Sequence, residues 1–312
     1  MSSAIALPPH ELSSPNQQTH TIKIANWRIT ASTHPISNAA ECDALQSALG
    51  FALPEMTFGG NSLLLEYNAS GVGWKYVFDT RGALGAVKGG ELGEGDGGVK
   101  VGYADAWLKS RTDPGTNLPL PATMAAKPYD WTYTTTYAGH PESPSAPTNI
   151  IPWTPADPAN PAHIIPMAEL TRPDPILFYA EIPLFEDELH DNGSSSLIVR
   201  IRVMPTCIFI LSRFTLRVDN VLFRTHDTRV YHSFVSTPPL VVRQVSGWAA
   251  PYDKVKRQLP DRNDLTPLTD ATFVARVLAE MPAQTSQKTG AGTGWRGLGT
   301  KLEVAVLEQP AT

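Results

Sequence analysis

The sequence has few cysteines, little net charge and no long apolar run, and each shortage excludes a class of protein. Two cysteines in 312 residues cannot form a disulfide framework, which suits the reducing cytosol or nucleus. A formal charge of −5 lacks the basic excess that nucleic-acid binding requires. The longest purely apolar run, CIFIL, is far shorter than the roughly 18 residues that span a bilayer. We therefore expect a cytoplasmic protein, with the nucleus as a second compartment, that binds neither nucleic acid nor membrane.

Proline and glycine, by contrast, are abundant. The chain contains 28 prolines and 23 glycines, too many for a compact helical protein, and they indicate many strands with long connections. Hydrophobic residues make up 42% of the chain, which is enough to form a core. The composition therefore disfavours a helical bundle.

Alternating polar and apolar residues predict the strands. Residues 21–32 are predicted as one strand with a bulge, and residues 61–80 as a β-hairpin. Residues 129–137 alternate aromatic with polar side chains, which predicts another strand. The densest signal lies at 176–235, where the two-residue turn Asp219-Asn220 is predicted to join two long strands.

Two segments predict helices. Asn38 and Glu41 have the spacing of a capping box, and Gly50 supplies a stop signal after the apolar residues that follow them. Residues 270–281 have the apolar spacing of an amphipathic helix.

The chain is predicted to form a single domain from residue 21 to residue 281. Residues 1–20 are predicted to be disordered, and residues 282–312 to form a mostly disordered tail. Within the domain, residues 85–98 contain seven glycines and are predicted to form a flexible loop. Residues 138–175 contain ten prolines and are predicted to be mostly irregular.

The stretch LFEDELHDNG could be a metal or acid/base site. Its candidate ligands are Glu186, Asp187, Glu188, His190 and Asp191, with His226, Asp227 and His232 as a second set. The sequence contains no H-E-x-x-H, C-x-x-C or G-x-S-x-G motif, so no local signature supports an enzyme. A metal-dependent hydrolase centred on 186–191 nevertheless stays open as the alternative to a solvated strand end.

Arginine is concentrated at 200–229, where six arginines accompany two acidic residues in an otherwise acidic protein. Arg200 and Arg202 are predicted to point outward from a strand whose Leu197, Val199 and Ile201 point inward. One interpretation is a ladder of cross-strand ion pairs with the acids of 186–191 as partners. The other is a protein-docking surface, because the guanidinium group binds carboxylates with two parallel hydrogen bonds. Spacing alone does not separate the two.

Six long motifs point to a known family. In chain order they are LPEMTFGGN, KPYDWTYTTTY, LFEDELHDNG, VRIRVMP, RFTLRVDNVLFR and DTRVYH. Together they resemble the TIPRL or Tip-forty-one-like family of TOR-signalling regulators, from about Trp27 to about Arg243. The two chain ends, the Gly-rich loop and the Pro-rich insertion fall outside the resemblance.

The resemblance implies a fold class and a function. The fold class is α+β, a predominantly antiparallel two-layer β-sheet protein with a few helices packed on one side. The implied function is non-enzymatic: binding of the catalytic subunit of type 2A-family protein phosphatases, together with an alpha-four or Tap-type phosphatase-binding protein. Our hypothesis is that this binding inhibits the phosphatase. On this interpretation the chain has no catalytic residue, no metal site and no cofactor.

The resemblance also implies partner-binding residues. Family determinants lie in the block that matches RTHDTR, so Thr225 and Asp227 are predicted contacts. The charge pattern adds Arg224, Arg229, Glu186, Asp187 and Glu188 as neighbouring candidates. If Asp227 is purely a contact, its replacement by leucine abolishes phosphatase binding and leaves the melting temperature nearly unchanged.

One position departs from the family pattern. After the second strand of the hairpin, the family has an acidic residue directly before Ala-Leu. This chain has FDTRGAL, with Gly82 in the acidic position.

Overall fold

The computed structural model describes most of the chain. The described residues are 7–50, 53–69, 72–86, 135, 137–141, 152–171, 173–189, 193–220, 222–280 and 296–307. Several predictions lie outside them: nearly all of the Gly-rich loop, most of the strand at 129–137, and His190 and Asp191.

The first sheet is formed mainly by the N-terminal part of the chain. Its strands are β1 (His10–Ser13), β2 (Thr19–Ile24), β3 (Trp27–Ser32), β5 (Ser62–Ala69), β6 (Val72–Asp79) and β7 (His140–Pro141). They lie side by side in this order, and every pair is antiparallel. One face is buried, and the other presents charged residues such as Lys23, Arg28 and Lys75.

The second sheet is larger. Its strands are β4 (Met56–Thr57), β8 (Thr154–Pro155), β9 (Phe178–Asp187), β10 (Gly193–Val203), β11 (Cys207–Val218), β12 (Leu222–Ser233), β13 (Leu240–Pro251) and β14 (Arg296–Val306). Their spatial order is β4-β9-β10-β11-β12-β13-β14-β8, again antiparallel throughout. The long central strands β10 to β13 form a continuous meander.

The main hydrophobic core lies between the two sheets. It contains alternate residues of the first sheet, including Trp27, Leu65 and Phe78, and of the second, including Val199 and Phe214. Because side chains alternate between the two faces of a strand, this packing defines an inner face and an outer face of the second sheet. The α+β, mainly antiparallel, two-layer fold class is confirmed.

Helices cover the ends of the outer face. The helices are α1 (Ala39–Leu49), α2 (Thr80–Gly85), α3 (Met167–Leu170), α4 (Tyr252–Lys256) and α5 (Ala271–Glu280), and single 3₁₀ turns occupy Pro161–His163 and Thr266–Thr269. The α4–α5 region packs on Phe223 at one end of the outer face, and the region of α3 packs on Tyr231 at the other. Both α1 and α2 pack against the core between the sheets. None of the helices in the described residues is long and apolar enough to cross a membrane.

Local sequence signals predicted helix α1 and the β5–β6 hairpin correctly. Asn38 and Glu41 form the expected capping box, and Gly50 ends the helix with φ 81°. Strands β5 and β6 form the predicted hairpin. The predicted bulged strand at 21–32 is wrong, because it is the hairpin β2–β3, which turns at Ala25 with φ 50°. The turn between β11 and β12 is also longer than predicted, since Val218 pairs with Leu222 across three residues.

Both chain ends contain structure where disorder was predicted. In the N-terminal segment, β1 pairs with β2 and an ion pair joins Glu11 to Lys23. In the C-terminal segment, β14 pairs with β13 and buries Val304 and Ala305. The alternation in KLEVAVL is the signal for β14, and the surrounding Gly-rich sequence obscured it.

Both cysteines are free thiols. Cys207 is buried, whereas Cys42 is only half-buried and donates a weak hydrogen bond to the carbonyl oxygen of Ser37, with a separation of 3.7 Å.

Candidate functional site

Strand β12 separates the predicted site residues between the two faces of the second sheet. Thr225, Asp227 and Arg229 lie on the outer face, while His226 and His232 lie on the inner face. The second set of proposed metal ligands is therefore split by the sheet. In the part of the chain that the structure describes, no three potential metal ligands come together, and the hydrolase alternative is not supported.

Asp227 is the centre of an ion cluster on the outer face, formed with Arg213, Arg229 and Ser246. Arg213 donates two hydrogen bonds to its carboxylate, with Nε–Oδ1 2.7 Å and Nη2–Oδ2 2.8 Å. Arg229 donates from Nη2 to Oδ2 at 2.7 Å and from Nη1 to the Ser246 hydroxyl at 3.3 Å. We call these four residues the Asp227 cluster.

Strand register explains why the Asp227 cluster forms. Arg213 on β11 and Ser246 on β13 are the direct cross-strand partners of Asp227, and Arg229 is two residues further along the same face. Burial would by itself lower the pKa of Arg213, but the hydrogen bonds and charge of Asp227 outweigh it, and the pKa is raised. The cluster lies between the two apolar ends of the outer face, so its ions are largely shielded from water.

The predicted arginine ladder exists, but its acidic partners were wrongly assigned. Arg200 pairs with Glu181 at 2.7 Å, and Arg213 and Arg229 share Asp227. Arg217 Nε and Asp219 Oδ1 lie 3.0 Å apart, close enough for an ion pair but not aligned as a hydrogen bond. These partners come from 181, 219 and 227 rather than from 186–191, because the register of β9 places Glu181 opposite Arg200.

Thr225 and Arg224 occupy different surroundings although they are neighbours in sequence. Thr225 faces outward next to the Asp227 cluster, and only 2% of its surface is exposed. Arg224 points to the other face and pairs in register with Leu216, which belongs to the core. Arg224 therefore does not share a surface with Thr225 and Asp227.

The predicted acidic residues at 186–188 differ from one another in environment. Asp187 is buried and accepts hydrogen bonds from the backbone N–H groups of Leu189, at 2.6 Å, and Glu55, at 3.2 Å. Glu186 is half-buried, and its pKa is raised, mainly by burial and further by the charge of Glu181. Glu188 is exposed. Asp187 thus holds the end of β9 in place.

A cleft of about 570 Å³ connects these acids with Arg217 and with the region of α5. Its lining residues are Met56, Glu186, Asp187, Glu188, Gly193, Ser194, Ser195, Ser196, Ile198, Arg217 and Thr269. Glu186 and Thr225 share a row of paired residues, separated by Ser196 and Thr215. At about 4.8 Å per strand this places them roughly 14 Å apart. The structure therefore puts Glu186 and the Asp227 cluster on one face but not in contact, whereas Asp187 pairs through Ser195 with Leu216 on the inner face.

Gly193, at the start of β10, lines the cleft. Its φ is 152°, and a Cβ atom at this position would collide with the carbonyl oxygen of Arg217. We expect Gly193→Ala to lower the free energy of unfolding by about 1–3 kcal/mol, because both the backbone conformation and the close contact oppose a side chain. Chemical denaturation would measure this, with Gly73→Ala as the control, where the nearest atom is 4.0 Å away. Equal stability of the two variants would contradict the prediction.

The departure at Gly82 has a structural consequence. A Cβ atom on Gly82 would lie within 2.7 Å of the His140 ring. His140 instead approaches the Asp79 carboxylate at 3.5 Å and the Tyr137 hydroxyl at 3.3 Å. In this chain an imidazole therefore occupies the space beside the position where the family carries an acid.

Two ionic groups in this sheet were not found from sequence. Glu181 was passed over because its role depends on the register between β9 and β10. Arg243 forms hydrogen bonds to Glu303 and Tyr76, and its guanidinium group lies 4.0 Å from the centre of the Trp153 ring. Its contacts come from segments about 60 to 167 residues away, so no local pattern marks them.

Comparisons with known proteins add a consistent result. A model of the TIP41-like family matches residues 56–256. The TIP41-like protein of Homo sapiens is 40% identical over 207 residues, which cover 66% of this chain and 68% of that protein. The type 2A phosphatase activator TIP41 of Saccharomyces cerevisiae is 34% identical over 287 residues, which cover 88% of this chain and 76% of that protein. The type 2A phosphatase activator tip41 of Schizosaccharomyces pombe is 32% identical over 244 residues, which cover 78% of this chain and 87% of that protein. The family match includes the whole of β9 to β13, and with them the Asp227 cluster.

Proposed function

Because this chain belongs to the TIP41-like family, we propose that it regulates type 2A-family protein phosphatases by binding their catalytic subunit, and that it is not itself an enzyme. The observation that carries the proposal is the similarity to two type 2A phosphatase activators over most of their length. The described residues are consistent with a binding role, since their ion pairs lie on the outer face of the second sheet. We place this activity in TOR signalling, with an alpha-four or Tap-type protein as a further partner.

The proposed contact surface is the outer face of the second sheet. Glu188 and the partly exposed Arg229 are accessible to a partner, whereas Thr225 and Asp227 are buried beneath this surface. Side chains as buried as Thr225 and Asp227 contribute mainly by fixing the positions of their neighbours. Arg229 is one such neighbour, because its guanidinium group is held by both Asp227 and Ser246. A pre-organised charged group loses less conformational entropy when a partner binds.

A titration of purified catalytic subunit with this protein tests the proposal directly. We expect saturable binding, measured by pull-down, and falling phosphopeptide turnover as the protein is added. Rising turnover with saturable binding would mean that the protein regulates the phosphatase by activating it. No binding at micromolar concentrations, with or without an alpha-four or Tap-type protein, would contradict the proposed function.

The exposed acid of the cleft provides a sharper test of location. We expect Glu188→Lys to weaken phosphatase binding by about tenfold, since reversing a charge in an interface costs affinity through like-charge contacts. The control is Glu11→Lys, which reverses an exposed acid on the first sheet. If the two variants bound the phosphatase equally well, the cleft would not be part of the contact surface.

A further inference from the structure

Arg202 on β10 differs from the other arginines on the outer face. Arg200, Arg213 and Arg229 each bind a carboxylate at 2.7 Å. Among the residues that the structure describes, Arg202 has no carboxylate within ion-pair distance; its guanidinium carbon lies 6.0 Å from the centre of the Phe209 ring. An outward-facing cation without a described carboxylate partner therefore lies on the strand next to β9.

The strand register shows why Arg202 is left without a partner. The residue opposite Arg200 is Glu181, and the residue opposite Arg213 is Asp227. Arg202 is flanked instead by two aromatic residues, Tyr179 on β9 and Phe209 on β11. A guanidinium group bordered by aromatic rings suits a carboxylate from another molecule, because the rings reduce its exposure to water without neutralising its charge.

The surface next to Arg202 is apolar and exposed. Tyr179 is 53% exposed, and nearby in sequence Ile176 is 51% exposed. The Tyr179 hydroxyl donates a hydrogen bond to Glu181 at 3.1 Å, which keeps the ring over the sheet. Exposed aromatic and aliphatic side chains beside an arginine are typical of protein interfaces.

The backbone beside this surface is an open strand edge. In the described part of the chain, β4 pairs with β9 only at Phe185 and Glu186, and the carbonyl oxygen of Pro183 accepts a hydrogen bond from Asn61. The edge at 178–182 has no described partner strand on the side away from β10. By comparison, the edge strands β7 and β8 have only two residues each and end in proline, which cannot donate to a partner.

From these observations we infer that the edge of β9 at 178–182 binds an extended acidic segment of a partner protein as an added strand. The segment's backbone bonds to this edge of β9, and one of its carboxylates reaches Arg202 across Tyr179. An added strand lies two strand spacings from β10, about 10 Å, which extended arginine and glutamate side chains span together. The inference rests on the proposed function, which supplies the partner: the type 2A catalytic subunit.

Binding by charge-reversed variants of the full-length protein tests the inference. We expect Arg202→Glu to weaken binding of the purified catalytic subunit at least tenfold, and Tyr179→Ser to weaken it several-fold. The matched control is Arg28→Glu, which reverses an exposed arginine on the outward face of the first sheet and leaves affinity within about twofold of wild type. Thermal melting of each variant checks that the fold is retained.

Hydrogen exchange of the wild-type complex gives a second readout that does not depend on any variant. Strand addition slows exchange of those amides of 178–182 that point away from β10, whereas a contact through side chains alone leaves them unchanged. A wild-type complex in which these amides stay unprotected, or in which Arg202→Glu binds as tightly as wild type, overturns the inference and leaves the proposed function standing. If wild-type protein forms no complex at all, the proposed function fails and the inference fails with it.

Discussion

Replacing Asp227 by alanine should lower the free energy of unfolding by about 3–5 kcal/mol, because it leaves Arg213 and the partly exposed Arg229 without their shared, buried carboxylate. The side chains of Asp227 and Arg213 are only 8% and 11% exposed, so water cannot replace the lost ion pairs efficiently. For a chain of this size the loss should lower the melting temperature by on the order of 10 °C. Thermal and chemical denaturation would both measure it.

The matched control is Glu181→Ala in the same sheet. Glu181 also pairs with an arginine at 2.7 Å, but its side chain is 44% exposed. An exposed pair of this kind contributes less than about 1 kcal/mol. If Asp227→Ala melted at the wild-type temperature, the ion cluster would have no structural role and Asp227 would act as a contact alone.

This expectation revises what the sequence motifs implied for Asp227. The motif match predicts a contact residue whose replacement leaves stability unchanged. Burial between Arg213 and Arg229 means instead that lost binding in an Asp227 variant combines misfolding with any lost contact. Replacing Arg213, Asp227 and Arg229 together with Met, Leu and Met separates the two effects. Apolar replacement of a whole buried ion cluster often restores stability, so a stable triple variant that no longer binds would identify the cluster as a contact.

Features formed by residues close together in sequence could be predicted, whereas features formed by residues far apart in sequence could not. The cap of α1 was predictable because Asn38 and Glu41 are three residues apart and complete their hydrogen bonds locally. The Arg200–Glu181 pair was not, because β9 and β10 shift register between Leu197 and Ile198 and no local pattern fixes that shift.

The candidate site shows the same limit. Alternation correctly placed Arg200 and Arg202 on the outward side of β10. Which of the two would be neutralised depended on the residues that β9 and β11 bring opposite them, a glutamate in one case and aromatic rings in the other. The choice between an ion-pair ladder and a docking surface could not be made from spacing because the sheet contains both.

Acidification should destabilise the protein through His232, which is buried against the core at the end of β12. Its ring lies 4.9 Å from that of Trp27, and Nδ1 is 2.8 Å from the carbonyl oxygen of Leu240. Burial lowers the pKa of His232 to about 4, an effect that the hydrogen bond to Leu240 only partly offsets. The unfolded chain, with a histidine pKa of about 6.5, therefore binds a proton that the folded protein excludes.

The sign of the pH dependence follows from that difference. Between pH 6.5 and pH 4 the unfolded state binds more protons, so stability rises with pH and is lost as pH falls through this window. Between pH 7 and pH 5 we expect His232 alone to contribute a loss of about 2 kcal/mol, before most carboxylates titrate. Burial also lowers the pKa of His226 on the same face, which adds a change of the same sign.

Urea denaturation of wild type and His232→Gln at pH 7 and pH 5 isolates the contribution of His232. Glutamine offers an amide N–H to the Leu240 carbonyl but does not titrate. Between pH 7 and pH 5 the free energy of unfolding of His232→Gln should therefore fall by about 2 kcal/mol less than that of wild type. His20→Gln is the matched control, because that histidine is exposed on β2 and bonds to the Ser14 hydroxyl. Equal pH dependence in wild type and His232→Gln would mean that the folded protein protonates His232 as readily as the unfolded chain does, and that the contact with Trp27 does not exclude the charged ring.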